Sequence, residues 1–131
     1  MSVVFDTEAL LSFYLGEPGG EEVEKHLVKI MKGEIKGYVN IINLAEFYYI
    51  LYRKNPELAE EKERNLRGFG LEIVPVDNDK LWKEAAKIKG RHTLSLADAF
   101  TVATTKMKKA NLLTGRDAEF QGTQVPTKRI I

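Results

Sequence analysis

The chain has 131 residues, 44% of them hydrophobic and 30% charged, which suits one globular domain spanning residues 1–131 with a real core. It has no cysteine, which excludes disulfides, thiolate metal sites and cysteine nucleophiles, and it shows neither a basic-then-apolar leader nor an apolar run near the roughly 20 residues that span a bilayer, so a cytoplasmic location is expected. The net charge of +1 gives no argument for nucleic acid, which would have to rest on local basic patches.

Met1 to Phe5 is a short apolar run rich in β-branched residues and predicts a buried strand. Asp6-Thr7 ends it, and Ala9, Leu10, Phe13 and Tyr14 continue at helical spacing. Gly16-Glu17-Pro18-Gly19-Gly20 breaks the chain before a helix over about Glu21–Lys32, with Val23, Leu27, Ile30 and Met31 on one face. Gly37–Ile42 predicts a second strand. Leu44, Phe47, Tyr48 and Leu51 predict the helix after it, stopped by Asn55-Pro56. A charged helix over Glu57–Arg67 and a strand over Leu71–Val76 follow. Asp79–Lys89 predicts a helix around Leu81, Trp82, Ala85 and Ile88, and Leu96, Ala99, Phe100, Ala103, Met107 and Ala110 line another. Asn111–Thr114 and Arg129–Ile131 read as the last strands. Alternating strands and helices imply a three-layer α/β/α domain around a mainly parallel sheet.

Asp is rare here, with five in the chain, and three of them occupy one kind of place. Asp6 and Asp117 fall just past strand C-terminal ends. Glu46 lies in the helix after strand Gly37–Ile42, read as its first turn, and Asp98 opens the helix that leads into Asn111–Thr114. In a parallel α/β sheet all four emerge at the C-terminal edge, where such sheets place ligand sites. Converging carboxylates must either take up protons or be neutralised by a cation. An all-oxygen donor set selects a hard ion, Mg²⁺ or Mn²⁺. Such ions polarise phosphoryl oxygens and activate water, so phosphodiester hydrolysis is the natural chemistry.

Each acid also has a purely structural reading. Asp6 suits a helix N-cap, Ser95-Leu-Ala-Asp98 and Thr114-Gly-Arg-Asp117 have capping-box spacing, and Glu46 would favour a helix dipole. The apolar flanks in Leu44-Ala45-Glu46-Phe47-Tyr48 and Leu96-Ala97-Asp98-Ala99-Phe100 point instead to acids held in partial burial, where an unpaired charge is costly.

VVFDTEALL, NLAEFYYIL, SLADAFTVATT and LLTGRDAEF, in that order over nearly the whole chain, resemble the PIN-domain family and, within it, the small VapC-type toxins of toxin–antitoxin pairs. The resemblance implies a ribonuclease dependent on Mg²⁺ or Mn²⁺, with Asp6, Glu46, Asp98 and Asp117 as metal-binding acids and Thr114 supporting the last of them. It also implies a homodimer and an antitoxin partner. The chain departs from the pattern twice. Arg116 pushes the last acid along by one, which leaves Glu119 as an alternative to Asp117, and Asn43 stands where a small hydroxyl residue is common. A PIN nuclease of RNA processing without an antitoxin, and a non-catalytic PIN-like binding module, stay open as alternatives. Lys83, Lys87, Lys89, Arg91 and His92 form a basic stretch leading to Asp98, and Lys106, Lys108, Lys109 and Arg116 another near Asp117; either is a phosphate-attracting patch or a solvated face. Tyr48, Tyr49 and Tyr52, at helical spacing, are expected to pack in the core or at an interface.

Overall fold

The computed structural model describes residues 1–115 and 117–131, with positions 117 and 118 described in their backbone alone. Strand β1 (Ser2–Phe5) leads into helices α1 (Thr7–Tyr14) and α2 (Gly20–Met31). Strand β2 (Lys36–Asn40) leads into α3 (Ile41–Lys54) and α4 (Pro56–Gly68), and β3 (Glu72–Val74) into α5 (Asp79–Arg91) and α6 (Leu96–Lys108). Strand β4 (Asn111–Thr114), a 3-10 helix (Asp117–Phe120) and β5 (Thr127–Arg129) follow.

Among the described residues the strands form one five-stranded sheet, parallel throughout, in the order β3-β2-β1-β4-β5. The crossovers from β1 to β2 and from β2 to β3 step in one direction; the next, from β3 to β4, steps back across β1. Parallel crossovers are right-handed, so a reversal of direction moves the connecting helices to the other face. The core records this. Val3, Phe5, Val39 and Leu113 pack with Leu10, Leu27, Phe47 and Leu66 of the first four helices. Val74 and Leu112 pack with Leu81, Ile88 and Phe100 of the last two. The neighbours Leu112 and Leu113 thus serve opposite cores, as the two-residue period of a strand requires. The architecture is the expected three-layer α/β/α, and burial on both faces explains why the strands are continuous apolar runs.

Local differences from the sequence-based expectation have physical causes. The second strand stops at Asn40, short of Ile42, because Asn40 caps α3: its Oδ1 accepts from the Ile42 N–H at 2.8 Å. Its Nδ2 donates to Thr104 Oγ1 at 2.9 Å and ties α6 to the end of β2. A cap with both ends of its amide engaged overrides the strand propensity of Ile41 and Ile42. The last strand is Thr127–Arg129, two residues earlier than expected, and Leu112 N donating to the Pro126 carbonyl at 2.8 Å sets its register. Ile130 then drops into the α1–α4 core. Trp82, Met31, Leu96 and Met107, expected on apolar helix faces, are exposed. The α1–α2 contact is so close that a Cβ at Gly20 would lie 2.6 Å from the Ser12 carbonyl oxygen.

Candidate metal centre

The reversal of strand order falls between β1 and β4, and Asp6 is the first residue beyond β1. Asp6 is fully buried and caps α1, its Oδ1 accepting from the Ala9 N–H at 2.7 Å. The capping role of this acid is therefore correct, and it is compatible with a second role, because the cap fixes the orientation of the carboxylate. Phe5 pairs with Leu113 in the sheet, so Asp6 and the buried Thr114 stand side by side on adjacent chains, one residue further on. Asp98 is 7% exposed in the first turn of α6, where its N–H donates to Ser95 Oγ at 3.1 Å.

Glu46 is half-buried in the second turn of α3, not the first as expected, because the helix begins at Ile41. This removes Glu46 as a first-turn dipole acid. Three residues before it, on the same side of the helix, Asn43 is fully buried. Asn43 Nδ2 donates to Thr7 Oγ1 at 3.4 Å and to the Ala97 carbonyl at 3.2 Å, while Thr7 Oγ1 donates to the Asn43 carbonyl at 3.3 Å. Thr7 follows Asp6 and Ala97 precedes Asp98. One carboxamide thus joins the chain positions beside two of the acids to the helix that carries the third. The N-terminal turns of α1, α3 and α6 meet there, and their partial positive charge favours anionic groups.

The fourth acid, Asp117, opens the 3-10 helix after β4, but its side chain, like all of Arg116, lies outside the described residues. Its alternative, Glu119, is exposed. Among the described residues no three Asp, Glu or His side chains form a group that would hold an ion by themselves. His26 is buried in α2, its Nδ1 2.8 Å from the Glu22 carbonyl oxygen. In the sequence Asn43 stands out only as a departure from a pattern, and Thr7 does not stand out at all. The available signal was a polar residue one turn before Glu46 on an apolar helix face.

A family model described as the PIN domain matches residues 3–125. The chain belongs to the PIN domain family. PIN domains are nucleases and generally use divalent metal ions. Among solved structures, the PIN fold of this chain is similar to VapBC2 from Rickettsia felis, at TM-score 0.81 and 16% identity over 98% of each chain. It is also similar to a toxin–antitoxin complex from Klebsiella pneumoniae, at TM-score 0.76 and 16% identity over 98% of each chain. FitAcB from Neisseria gonorrhoeae has TM-score 0.74 and 20% identity, over 98% of this chain and 97% of its own. No curated protein matches the chain in sequence.

The residues of this PIN domain fit a hard divalent ion. Asp6 and Asp98 are carboxylates removed from water at one sheet edge, with Glu46 on the adjoining helix. Burying such charges costs free energy that a cation recovers, and oxygen donors suit Mg²⁺ or Mn²⁺. Among the described residues no helix is long and apolar enough to cross a membrane.

Proposed function

We propose that this PIN domain is a Mg²⁺- or Mn²⁺-dependent endoribonuclease, and that it acts as the toxin of a toxin–antitoxin pair. The observation that carries the nuclease reading is the tie made by Asn43, which gathers the elements bearing Asp6, Glu46 and Asp98 at the sheet's C-terminal edge. Asp6, Glu46, Asp98 and Asp117 would hold the ion, with the Thr114 hydroxyl supporting Asp117. When bound, such an ion polarises a phosphoryl oxygen and eases deprotonation of the attacking water.

The chain's own groups do the rest. Asp6, locked by its bond to Ala9 N, presents a carboxylate of fixed direction. The burial of Asp6 and Asp98 excludes bulk water and strengthens their field. Half-buried Glu46 adds a third carboxylate on the adjoining helix that water can still reach.

RNA as the substrate is supported by the family resemblance of the motifs. The partner reading is supported by the neighbours, since the Klebsiella pneumoniae structure is described as a toxin–antitoxin complex and VapBC2 as bound to a DNA fragment from its promoter. Exposed Tyr49 and Tyr52 on α3 offer apolar surface for an antitoxin or for a second copy of this chain in a homodimer.

Incubation of purified protein with total RNA, with Mg²⁺ or Mn²⁺ and with chelator, tests the activity. Metal-dependent cleavage that disappears in Asp98→Ala is expected; equal cleavage by wild type and Asp6→Ala/Asp98→Ala would refute the mechanism. Light scattering should show a dimer, and a monomer at all concentrations removes that part of the reading.

A further inference from the structure

Helix α5 carries five cations, Lys80, Lys83, Lys87, Lys89 and Arg91, against two acids, Asp79 and Glu84, so it holds +3 in a chain whose net charge is +1. The cations are not scattered. At about 100° per residue, Lys80, Lys83, Lys87 and Arg91 fall within an arc of about 80° and run some 16 Å along the axis. The buried residues Leu81, Ala85 and Ile88 occupy a different face.

All four are exposed, and among the described residues none takes part in an ion pair. The two acids of the helix are engaged elsewhere. Asp79 accepts from Trp82 Nε1 at 3.0 Å, and Glu84 faces Lys106 at 4.0 Å. Like charges one turn apart destabilise a helix, and the fold meets that cost only in part, through Lys83 over the Trp82 ring at 5.6 Å and Arg91 at the negative end of the helix dipole.

The two ends of the row place it. Arg91 adjoins His92, whose ring lies 3.9 Å from where a Cβ on Gly122 would sit, just after the 3-10 helix that Asp117 opens. Four residues past Arg91, Ser95 caps α6 and binds the N–H of Asp98. This end therefore reaches the acid edge of the sheet. At the other end Lys80 meets Lys106 and Lys109 around a cleft of about 280 Å³ between α5 and α6.

We propose that the outer face of α5 is a track for the phosphodiester backbone of single-stranded RNA, running from the acid edge along Arg91, Lys87, Lys83 and Lys80. RNA as its occupant rests on the nuclease reading above. The track holds phosphates by charge, without base recognition, and so extends the substrate site beyond the scissile bond.

Fluorescence anisotropy with a labelled single-stranded oligoribonucleotide in EDTA tests it. Without divalent metal the measurement stands apart from cleavage. The triple variant K83Q/K87Q/R91Q should bind about tenfold or more weakly. Its salt slope, log K against log[salt], should fall by about 2, at about 0.7 for each phosphate that a removed cation had neutralised. The control K25Q/K29Q/K32Q removes three cations from and just after α2, on the opposite face of the sheet, and should bind as wild type does. Unchanged affinity and slope in the α5 variant, no binding by wild type, or an equal loss in the control each overturns the track. Failure of the wild type to cleave, with α5-dependent binding intact, would instead defeat the nuclease reading alone.

Discussion

Replacing Asn43 by Ala separates stability from metal geometry. The variant loses the Nδ2 bonds to Thr7 Oγ1 and to the Ala97 carbonyl, at 3.4 and 3.2 Å. Neither partner is orphaned. Thr7 Oγ1 keeps its bond to the residue 43 carbonyl, and the Ala97 carbonyl still accepts from Thr101 Oγ1 at 3.2 Å. A neutral hydrogen bond contributes about 0.5–1.5 kcal/mol net. The variant also removes a buried Asn43 Oδ1 that has no partner among the described residues, which offsets part of the loss. A net destabilisation of about 1 kcal/mol follows, or a fall in Tm of roughly 4 °C. The metal effect should be larger. Residues that orient metal ligands typically contribute 10–100-fold in affinity or activity, and Asn43 fixes the spacing of α1, α3 and α6 at once. Urea melts and Mn²⁺ calorimetry on the same preparation give both numbers. A normal Mn²⁺ affinity in a measurably destabilised variant would show that Asn43 only packs the fold.

Asp6→Asn should keep the stability of the wild type, since Asn caps helices as well as Asp, while abolishing metal-dependent cleavage; Asp6→Ala should lose cleavage and about 1 kcal/mol as well, both read by thermal melts beside the RNA assay. Glu46→Gln, half-buried and outside the helix caps, should leave Tm within a degree or so and lower kcat by at least tenfold. A full-rate Glu46→Gln enzyme removes that residue from the mechanism. Gly20→Ala, ordinarily stabilising within a helix, should instead cost about 1–3 kcal/mol by overpacking the α1–α2 contact at the Ser12 carbonyl, measured as a lower urea midpoint.

The alternation of strand and helix was legible in the sequence because burial on both faces leaves unbroken apolar strands such as Val3-Val4-Phe5. The acids were legible as residues for a related reason, since Asp6 and Asp98 sit among apolar neighbours. Boundaries were less so. Ile41-Ile42 look like strand until Asn40 is seen capping α3 and reaching Thr104, a residue 64 positions away. The tyrosines of α3 show the same limit. Tyr48 packs partly into the core, its hydroxyl donating to Glu60 at 2.6 Å, whereas Tyr49 and Tyr52 are 45% and 51% exposed. Helical spacing places these side chains on a face but does not say which neighbouring helix covers it.

The sequence by itself determined the layer order, the parallel sheet and the edge at which Asp6, Glu46 and Asp98 stand, because strand period, helix period and right-handed crossover are local or near-local rules. Only the tertiary structure decided how those acids are supported. The bond from Asn43 to Ala97 joins residues 54 positions apart, and the alignment of Arg91 with the acid edge depends on how α5 and α6 pack against the far side of the sheet. Contacts of that span have no periodic signature along the chain. They exist once the sheet has set which helix ends meet.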